Sequence, residues 1–201
     1  MSKSQKFYLA IKRTVGILGS IVGIVFCASL FWWWIFTVNL FVSKGHPIYI
    51  QRRLGRYKKE FGLLKFRSMK IDAPEIAPYD FTIELRNSYE TKFGKFLRKT
   101  SLDETLQLFN IFIGHMAFIG PRPGAAHNED DLVVLREQYK PNAFDVRPGL
   151  GGLAQLKMNR EHTPSDKARY DHEYVKNISL WLDIKIFIGT ILKIFGKGKG
   201  K

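Results

Sequence analysis

The chain is poor in cysteine: Cys27 is its single cysteine, so no internal disulfide can form. It lies in an apolar stretch, which favours burial or a reducing compartment and indicates no chemistry. Acidic residues are also scarce, with 18 Asp and Glu against 32 Lys and Arg, a formal excess of +14. This charge predicts attraction to nucleic acid, anionic lipid or phosphorylated small molecules, without choosing among them. With 201 residues, one domain with appendages is expected.

Charged side chains are absent from Thr14 to Ser43. As one helix this stretch would reach about 45 Å, whereas the core of a bilayer needs roughly 30 Å. It is too long for a cleaved signal peptide, and no small-residue cleavage site closes it. Bulky Phe26 before Cys27 argues against a lipoprotein signal. We therefore predict a membrane segment.

Basic clusters flank this segment on both sides, and the first acidic residue of the chain is Glu60. Because positive residues mark the cytoplasmic flank of a membrane helix, a straight span would carry one cluster across the bilayer. A re-entrant helix hairpin keeps both clusters beside anionic headgroups, and we predict this arrangement. No proline marks the bend, for which Gly23, Ser29 and Asn39 are the candidates. The clusters are Lys3, Lys6, Lys12 and Arg13 before the segment, and Lys44, Arg52, Arg53, Arg56, Lys58 and Lys59 after it.

The C-terminal end, Ile178 to Phe195, is apolar with a few interspersed charges, and a basic tail follows it. This pattern is typical of an amphipathic helix that lies in the membrane interface with a polybasic anchor. It is equally typical of a core helix in a globular domain. The pattern leaves both alternatives open. The tail contains Lys197, Lys199 and Lys201.

The region between the two apolar ends predicts a helix-rich α+β domain. Two β-prone runs, Pro47 to Gln51 and Gly62 to Met69, flank a basic turn with Gly55 and predict a β-hairpin. The stretch from Ile71 to Arg86 predicts a loop, and Asn87 to Lys99 a basic amphipathic helix at the bilayer surface. Further helices are expected near 100–113, 129–139 and 164–176. The predicted units are a membrane segment over 1–43, a cytoplasmic catalytic domain over 44–177 and an interfacial helix with its tail over 178–201.

Asp103 and Glu104 follow Thr100 and Ser101 at the expected start of a helix. Ser101 with Glu104 three residues later has the spacing of a capping box, and acids in a first turn complement the helix dipole. On local pattern alone this structural interpretation is preferred. The functional interpretation is that one carboxylate attacks phosphorus as a nucleophile while its neighbour binds metal or handles a proton.

Arg122 lies between two prolines, which stiffen the backbone and fix the position of its guanidinium. Such a fork suits a phosphate, although a surface turn arginine has the same pattern. Arg147 stands before a glycine-rich turn, Gly149 to Gly152, whose amides could approach a phosphate. That turn lacks the spacing of a dinucleotide fingerprint or a P-loop. Asp171, on a predicted helix, would by itself be a solvated acid, and the histidines lack zinc-ligand spacing.

Together these residues resemble the monotopic phosphoglycosyl transferases, also called the bacterial sugar transferase family. The matching blocks follow the family's order and cover nearly the whole chain. They are Lys65 to Met69, Ser101 to Glu104 with Gln107 to Asn110, Phe118 to Pro123, Val146 to Gly149 with Gly152 to Gln155, and Tyr170 and Asp171 with Tyr174.

The resemblance implies an enzyme at the cytoplasmic face of the bacterial inner membrane. Asp103 would attack the β-phosphate of a UDP-sugar, release UMP and pass the phosphosugar to polyprenol phosphate. Glu104 would assist with metal or proton handling, and Asp171 would help to hold Mg²⁺ together with the acidic pair. The remaining implied residues bind substrate or phosphate: Arg122, Arg147, Lys65, Arg67, Pro123 and Gly149. Anionic lipids would be partners, nucleic acid would not, and a homodimer is possible.

The chain departs from the family pattern at three positions. Ser29 is followed by Leu30 where the family often has proline, Leu106 replaces the usual proline after the acidic pair, and His115 stands where an aspartate is common. The first departure concerns the bend of the membrane segment. The other two are expected to change metal affinity or rate, while activity is retained because the acidic pair and Arg122 remain. The rival functions are a glycosyl transferase that releases UDP, and a non-catalytic basic membrane adaptor or nucleic-acid binder.

Overall fold

The structure, a computed structural model, describes residues 1–43, 45–74, 82–126, 129–158 and 163–196. Lys44 and the basic tail 197–201, for which predictions were made, lie outside the described residues. Helices predominate and the sheets are small, which confirms the predicted helix-rich α+β class. In chain order the elements are α1 (Lys3–Cys27), a π-helical segment (Ala28–Trp32), α2 (Trp33–Val42), β1 (Ile48–Leu54), β2 (Glu60–Phe66), α3 (Ile83–Tyr89), α4 (Lys92–Thr100), a 3-10 turn (Leu102–Glu104), α5 (Gln107–Ile113), β3 (Ala117–Ile119), α6 (Asp130–Glu137), β4 (Gly149–Gly151), α7 (Leu153–Lys157), α8 (Pro164–Lys176) and α9 (Leu180–Gly196).

The N-terminal apolar segment is helical from Lys3 to Val42, and by length and composition it could cross a membrane. One stripe of this helix faces the rest of the protein, with Gly16, Ser20, Cys27 and Ile35 buried. Small residues on the stripe let the helix approach closely: a β-carbon at Gly16 would lie 3.7 Å from Ile111 of α5. The opposite side is apolar and exposed, as expected of a surface that faces lipid.

The predicted re-entrant hairpin is not confirmed. Cys27, Ala28, Trp32 and Trp33 all have right-handed helical φ and ψ, so the chain passes from α1 to α2 without a turn. The π-helical segment is the place where the hydrogen-bond ladder changes, and it contains Ser29, one of the predicted bend positions. π-Helical segments are a recognised cause of helix kinks.

The predicted β-hairpin is confirmed, with β1 and β2 antiparallel in a register that runs from Ile48 opposite Phe66 to Leu54 opposite Glu60. Asn110 of α5 fastens this hairpin to the helices. Its side-chain oxygen accepts a hydrogen bond of 3.0 Å from the Leu64 amide, and its side-chain nitrogen donates one of 2.7 Å to the Gly62 carbonyl. The buried amide thereby satisfies two backbone groups inside a hydrophobic cluster.

The predicted loop 71–86 and the predicted helix 87–99 have different boundaries in the structure. The helix α3 begins at Ile83, so the loop prediction is wrong for its last residues, and the basic amphipathic helix begins at Lys92 as α4. Thr91 caps α4 by accepting a hydrogen bond of 2.8 Å from the Gly94 amide. Gly94 packs directly on the backbone after β2, because a β-carbon there would lie 1.8 Å from the Ser68 carbonyl oxygen.

A second sheet, which the sequence analysis missed, pairs β3 with β4 in parallel. Its strands have three residues each, too few to show an alternating pattern. The pairing depends on glycine: a β-carbon at Gly149 would lie 2.0 Å from the amide nitrogen of Gly120. The sheet places the segment that follows β3, with Arg122, beside β4.

The C-terminal helix α9 packs like a core helix on one side and has the apolar, exposed character of an interfacial helix on the other. Asp183 and Ile186 are buried against the domain, and Ile186 belongs to the same hydrophobic cluster as Tyr174 and Val175 of α8. Its other side is apolar and exposed, which is the character expected of an interfacial helix. These exposed residues are Leu180, Trp181, Ile184, Phe187, Ile188, Ile191 and Leu192.

Candidate active site

The acidic pair lies in a tight turn between α4 and α5. Ser101 ends α4 in the left-handed conformation, with φ of 58°, and a 3-10 turn then carries Asp103 and Glu104. The Ser101 side chain makes no capping hydrogen bond there. The capping-box interpretation is therefore wrong, because the side chain of Glu104 turns to Arg122 and does not return to the backbone of Ser101.

Glu104 and Arg122 form a two-point ion pair. Arg122 Nη1 donates a hydrogen bond of 3.3 Å to Glu104 Oε2, and Nη2 pairs with Oε1. Although burial by itself raises the pKa of Glu104, the charge and hydrogen bonds of Arg122 lower it to about 2. Glu104 is therefore a carboxylate throughout the physiological range.

Asp103 is 93% buried, since its relative exposure is 7%. Burial, followed by repulsion from Glu104, raises the pKa of Asp103 to about 6, while the cations Arg98, Lys65 and Arg122 oppose this rise. At neutral pH the carboxylate is mostly ionised, yet it is less stabilised than one in water. Such a group suits nucleophilic attack, which requires the anion.

Both acids line a cavity of about 1320 Å³. The predicted residues Lys65, Arg67, Arg122 and Pro123 line it as well. Burial, and then the charge of Arg122, lowers the pKa of Lys65 to about 8, which leaves it mostly cationic at neutral pH. The concentration of cations around one acidic pair suits a ligand with several phosphate charges. The other cationic lining residues are Arg53, Lys70, Arg86, Arg98, Lys167 and Lys193.

The backbone of Arg122 is held from two sides. The Gly149 amide donates a hydrogen bond of 2.9 Å to the Pro121 carbonyl, which joins β4 to the segment that carries Arg122. Arg136 of α6 donates one of 2.8 Å to the carbonyl of Arg122 itself. Gly149, predicted to bind phosphate through its amide, therefore donates to the backbone of Pro121.

Asp171 occupies a different position from the one predicted. It is 1% exposed and forms an ion pair with Arg136, whose Nε donates a hydrogen bond of 2.9 Å to it. Among the described residues, no group of three or more His, Cys, Asp or Glu side chains could hold a metal ion. The structure thus does not bring Asp171 to Asp103 and Glu104. Asp171 supports Arg136, which in turn supports Arg122.

Arg147 also lies elsewhere. Its Nε donates a hydrogen bond of 2.8 Å to the Gly114 carbonyl at the end of α5, and it lines a second cavity with Arg13 and Arg56. The negative end of the α5 dipole and an exposed carbonyl account for a cation at this place. The structure therefore separates Arg147 from the acidic pair, and its predicted contact with the same phosphates is not supported.

Three residues of this site were missed by the sequence analysis. Arg98 of α4 donates a hydrogen bond of 2.8 Å to Ser68 Oγ, which places its charge near Asp103. Arg136 and Glu129 are buried behind Arg122. Arg98 belongs to the helix predicted as amphipathic, and Glu129 and Arg136 belong to the helix predicted near 129–139; charged residues on such surface helices are normally solvated. No local pattern distinguishes a buried charge from an exposed one.

The carboxylate oxygens of Asp103 and Glu104 are ligands of the kind that Mg²⁺ needs. The ion prefers oxygen ligands and is commonly held by one or two carboxylates together with substrate phosphates. Asp103 and Glu104 offer two adjacent carboxylates in a cavity that suits phosphates. Residues 103 and 104 therefore fit a magnesium ion that the substrate helps to bind, and Asp171 is not needed for it.

Comparisons with known proteins identify relatives of this chain. The family model described as bacterial sugar transferase matches residues 7–197. The chain is 36% identical to a "UDP-glucose:undecaprenyl-phosphate glucose-1-phosphate transferase" of Xanthomonas campestris pv. campestris over 163 residues, 77% of this chain and 33% of that protein. It is 33% identical to an "Undecaprenyl-phosphate galactose phosphotransferase" of Salmonella typhimurium over 207 residues, 94% of this chain and 40% of that protein.

A shorter relative matches along almost its whole length. The "Exopolysaccharide production protein PSS" of Rhizobium leguminosarum bv. phaseoli is 32% identical over 200 residues, 96% of this chain and 98% of that protein. By contrast, the chain spans less than half the length of the first two relatives.

Proposed function

Because the chain belongs to the bacterial sugar transferase family, we propose that it transfers a sugar 1-phosphate from a UDP-sugar to polyprenol phosphate and releases UMP. The names of the relatives, which specify undecaprenyl phosphate and glucose 1-phosphate or galactose, support the two substrate classes. The observation that carries the proposal is the position of Asp103, a buried carboxylate with a raised pKa beside the Glu104–Arg122 ion pair in a cationic cavity.

The proposed reaction has two displacements at one phosphorus atom. A carboxylate oxygen of Asp103 forms a bond to the β-phosphorus of the UDP-sugar, and the bond from this phosphorus to the bridging oxygen breaks. UMP leaves with the electron pair, and the phosphosugar stays on Asp103. A phosphate oxygen of polyprenol phosphate then attacks the same phosphorus, which restores the Asp103 carboxylate and yields a polyprenyl diphosphate sugar.

Arg122 and Glu104 have distinct proposed roles. Arg122 stabilises the negative charge that accumulates on the transferred phosphoryl group, since a fixed cation in a partly desolvated site acts strongly. With a pKa of about 2, Glu104 has no proton to give at neutral pH. Of the two roles expected for Glu104, metal binding is thus favoured over proton transfer, together with orientation of Arg122.

We propose Mg²⁺ as the cofactor, held by Asp103 and Glu104 with the substrate phosphates. When bound, the ion offsets the repulsion between an anionic nucleophile and an anionic diphosphate. Lys65 and Arg67 bind the remaining phosphate charge from the β2 side of the cavity. Lys65 is mostly protonated at neutral pH, as this role requires.

The proposed location is the cytoplasmic face of the bacterial inner membrane. The apolar helix from Lys3 to Val42 and the exposed apolar side of α9 support membrane attachment. In the membrane, the re-entrant arrangement would require a bend, and the π-helical segment Ala28–Trp32 is the proposed position for it. Anionic lipids would hold the exposed Lys3 and Lys6. By contrast, Lys12 pairs with Asp183, and Arg13 donates to carbonyls of α5.

The test is the identity of the nucleotide product and of the covalent intermediate. The full chain in detergent is incubated with radiolabelled UDP-sugars, Mg²⁺ and polyprenol phosphate, and the released nucleotide is separated by chromatography. We expect UMP, together with label on the protein when the acceptor is omitted. Asp103→Asn should lose both, whereas Asp130→Asn, an acid in the first turn of α6, should keep both. Release of UDP would replace this proposal by the glycosyl transferase alternative.

A further inference from the structure

The large cavity is lined by charged residues in one part and by apolar residues in another. One part carries the acidic pair and the cations described above, and another part is apolar. Apolar side chains line the cavity in several places, including Phe118 and Leu150, and one apolar stretch comes from α7, the residue after it, and α9, where Lys193 donates hydrogen bonds to the carbonyls of that segment. The residues of this apolar stretch are Leu156, Met158, Phe187 and Ile191.

The helix α9 packs closely on the framework of the active site. A β-carbon at Gly151 of β4 would lie 3.2 Å from Thr190 Oγ1, and one at Gly189 would lie 2.8 Å from Leu156. Gly151 pairs with Ile119, and Arg122 follows Ile119 by three residues. The apolar wall and the phosphate-binding arginine are thus attached to the same small sheet.

The apolar wall is continuous with an exposed apolar surface. Phe187 and Ile191 line the cavity and also remain 49% and 37% exposed, so the cavity opens along α9. Beside them Ile188 and Leu192 are exposed on the outer side of the same helix. A ligand that enters at this opening therefore passes from an apolar surface to a cationic interior.

A buried polar cluster fixes α9 to the N-terminal helix. Asp183 Oδ2 accepts a hydrogen bond of 2.6 Å from Tyr8, Oδ1 accepts one of 2.7 Å from Tyr174, and Lys12 forms an ion pair with the same carboxylate. Phe187 lies one helical turn after Asp183. The cluster therefore sets the position of the apolar wall relative to the membrane helix α1.

We propose that the α9 wall, formed by Leu156, Met158, Phe187 and Ile191, binds the first part of the prenyl chain of the lipid phosphate acceptor, with the phosphate head directed to Asp103. This assignment rests on the proposed function for the nature of the acceptor. An anionic head on an apolar tail matches the two kinds of wall in one cavity. The volume of about 1320 Å³ also exceeds the roughly 300–1,000 Å³ of common small-molecule sites, which leaves room beyond a nucleotide sugar.

The test compares two neighbouring isoleucines of α9, of which one lines the cavity and the other does not. Ile191 lines the cavity, whereas Ile188, three residues earlier and 51% exposed, does not. Binding of short-chain and long-chain fluorescent prenyl phosphates to the purified full chain is measured in neutral detergent without UDP-sugar. Ile191→Asn should weaken binding of the long-chain compound about tenfold, the effect of losing one apolar side-chain contact. Ile188→Asn should bind as the unaltered chain does.

The controls separate this inference from the proposed reaction. UMP release is recorded in parallel. If Ile191→Asn weakens prenyl phosphate binding and Ile188→Asn does not, but the unaltered chain releases no UMP, the reaction is refuted and the α9 site is left intact. Equal loss in both isoleucine variants would show that α9 serves only as an anchor and would overturn the assignment. So would an unchanged affinity in both Ile191→Asn and the milder Ile191→Ala, which guards against a folding defect in the first.

Discussion

The guanidinium of Arg136 donates a hydrogen bond of 2.8 Å to the main-chain carbonyl of Arg122. Arg136 is 2% exposed, and its charge is balanced by the buried carboxylate of Asp171. The side chain of Arg122 in turn pairs with Glu104 beside Asp103. The buried ion pair of Arg136 and Asp171 therefore holds the backbone of Arg122 in place, although neither of its members lines the cavity. Arg136 is in this sense a positioning residue.

Substitution Arg136→Lys should lower kcat by about tenfold, because lysine keeps the charge beside Asp171 but cannot also hold the Arg122 carbonyl in a fixed fork. The KM for UDP-sugar should change less than kcat if the cations of the cavity still bind its phosphates. Steady-state rates of UMP release measure both. Arg169→Lys in α8, where the arginine is exposed, serves as the matched control and should behave as the unaltered chain. A normal kcat in Arg136→Lys would remove the positioning role.

The rate should depend on pH through Asp103. The pKa of Asp103 is about 6 in the metal-free chain, and bound Mg²⁺ favours the nucleophilic anion further. The first-step rate should therefore fall to half below about pH 6 and then about tenfold for each further pH unit. Initial rates of covalent labelling by UDP-sugar, between pH 5 and 8, give this profile.

The variant Glu104→Gln tests whether the charge of Glu104 contributes to the raised pKa of Asp103. Removing the Glu104 charge relieves its repulsion of Asp103 and releases Arg122, and both effects lower the pKa of Asp103. In metal-free buffer the pH at which Asp103 ionises, read from the pH dependence of the unfolding temperature, should therefore decrease, while the maximal labelling rate with Mg²⁺ also decreases. An unchanged ionisation pH would mean that Glu104 does not contribute to the raised pKa of Asp103.

The same raised pKa has a consequence for stability. The pKa of Asp103 is about 6 in the folded chain and 3.8 as the ordinary value, so its contribution to stability is full below pH 3.8 and is lost as pH rises through 6. At neutral pH the ionised Asp103 therefore costs stability, on the order of 1–3 kcal/mol. Asp103→Asn should raise the thermal unfolding temperature at pH 7 in metal-free buffer, and this gain should shrink as the pH approaches 4. A variant less stable than the unaltered chain at pH 7 would contradict the argument.

The sequence predicted those parts of the fold that depend on local patterns. The uncharged run that begins at Thr14 is helical as far as Val42, the β-hairpin around Gly55 is present, and α8 runs from Pro164 to Lys176 as its proline start indicated. In each case composition and periodicity over one element are sufficient. The acidic pair and Arg122, which the family resemblance identified, do meet in one cavity.

The errors concern contacts between distant parts of the chain. The pairing of Ala117 with Gly149 requires the backbones of two distant segments to lie close together, which no local sequence pattern predicts. The family resemblance assigned Asp171 to a metal site, and its local pattern alone indicated a solvated acid, whereas the structure buries it in an ion pair with Arg136 that helix position cannot predict. Arg147 was expected at the phosphates, whereas it donates to a carbonyl at the end of α5.

The close approach of α4 to the segment after β2 gives the last prediction. A β-carbon at Gly94 would lie 1.8 Å from the Ser68 carbonyl oxygen, so Gly94→Ala must separate α4 from that backbone. Such overpacking costs roughly 1–3 kcal/mol, more than the ~1 kcal/mol that alanine contributes over glycine in a helix. We expect a lower unfolding temperature and a lower rate, because Arg98, which hydrogen-bonds to Ser68 and lies near Asp103, moves with α4.

Gly16→Ala is the matched control, since Gly16 is also a buried helical glycine but its added β-carbon would meet Ile111 at an ordinary 3.7 Å. This variant should be as stable as the unaltered chain or slightly more stable, because alanine restricts the unfolded chain and fills the available space. The unfolding temperatures of Gly94→Ala and Gly16→Ala, measured in the same detergent, are compared with that of the unaltered chain. If both glycines tolerate alanine equally, α4 is not held against Ser68 as tightly as the geometry requires, and Arg98 would then be free to leave the acidic pair.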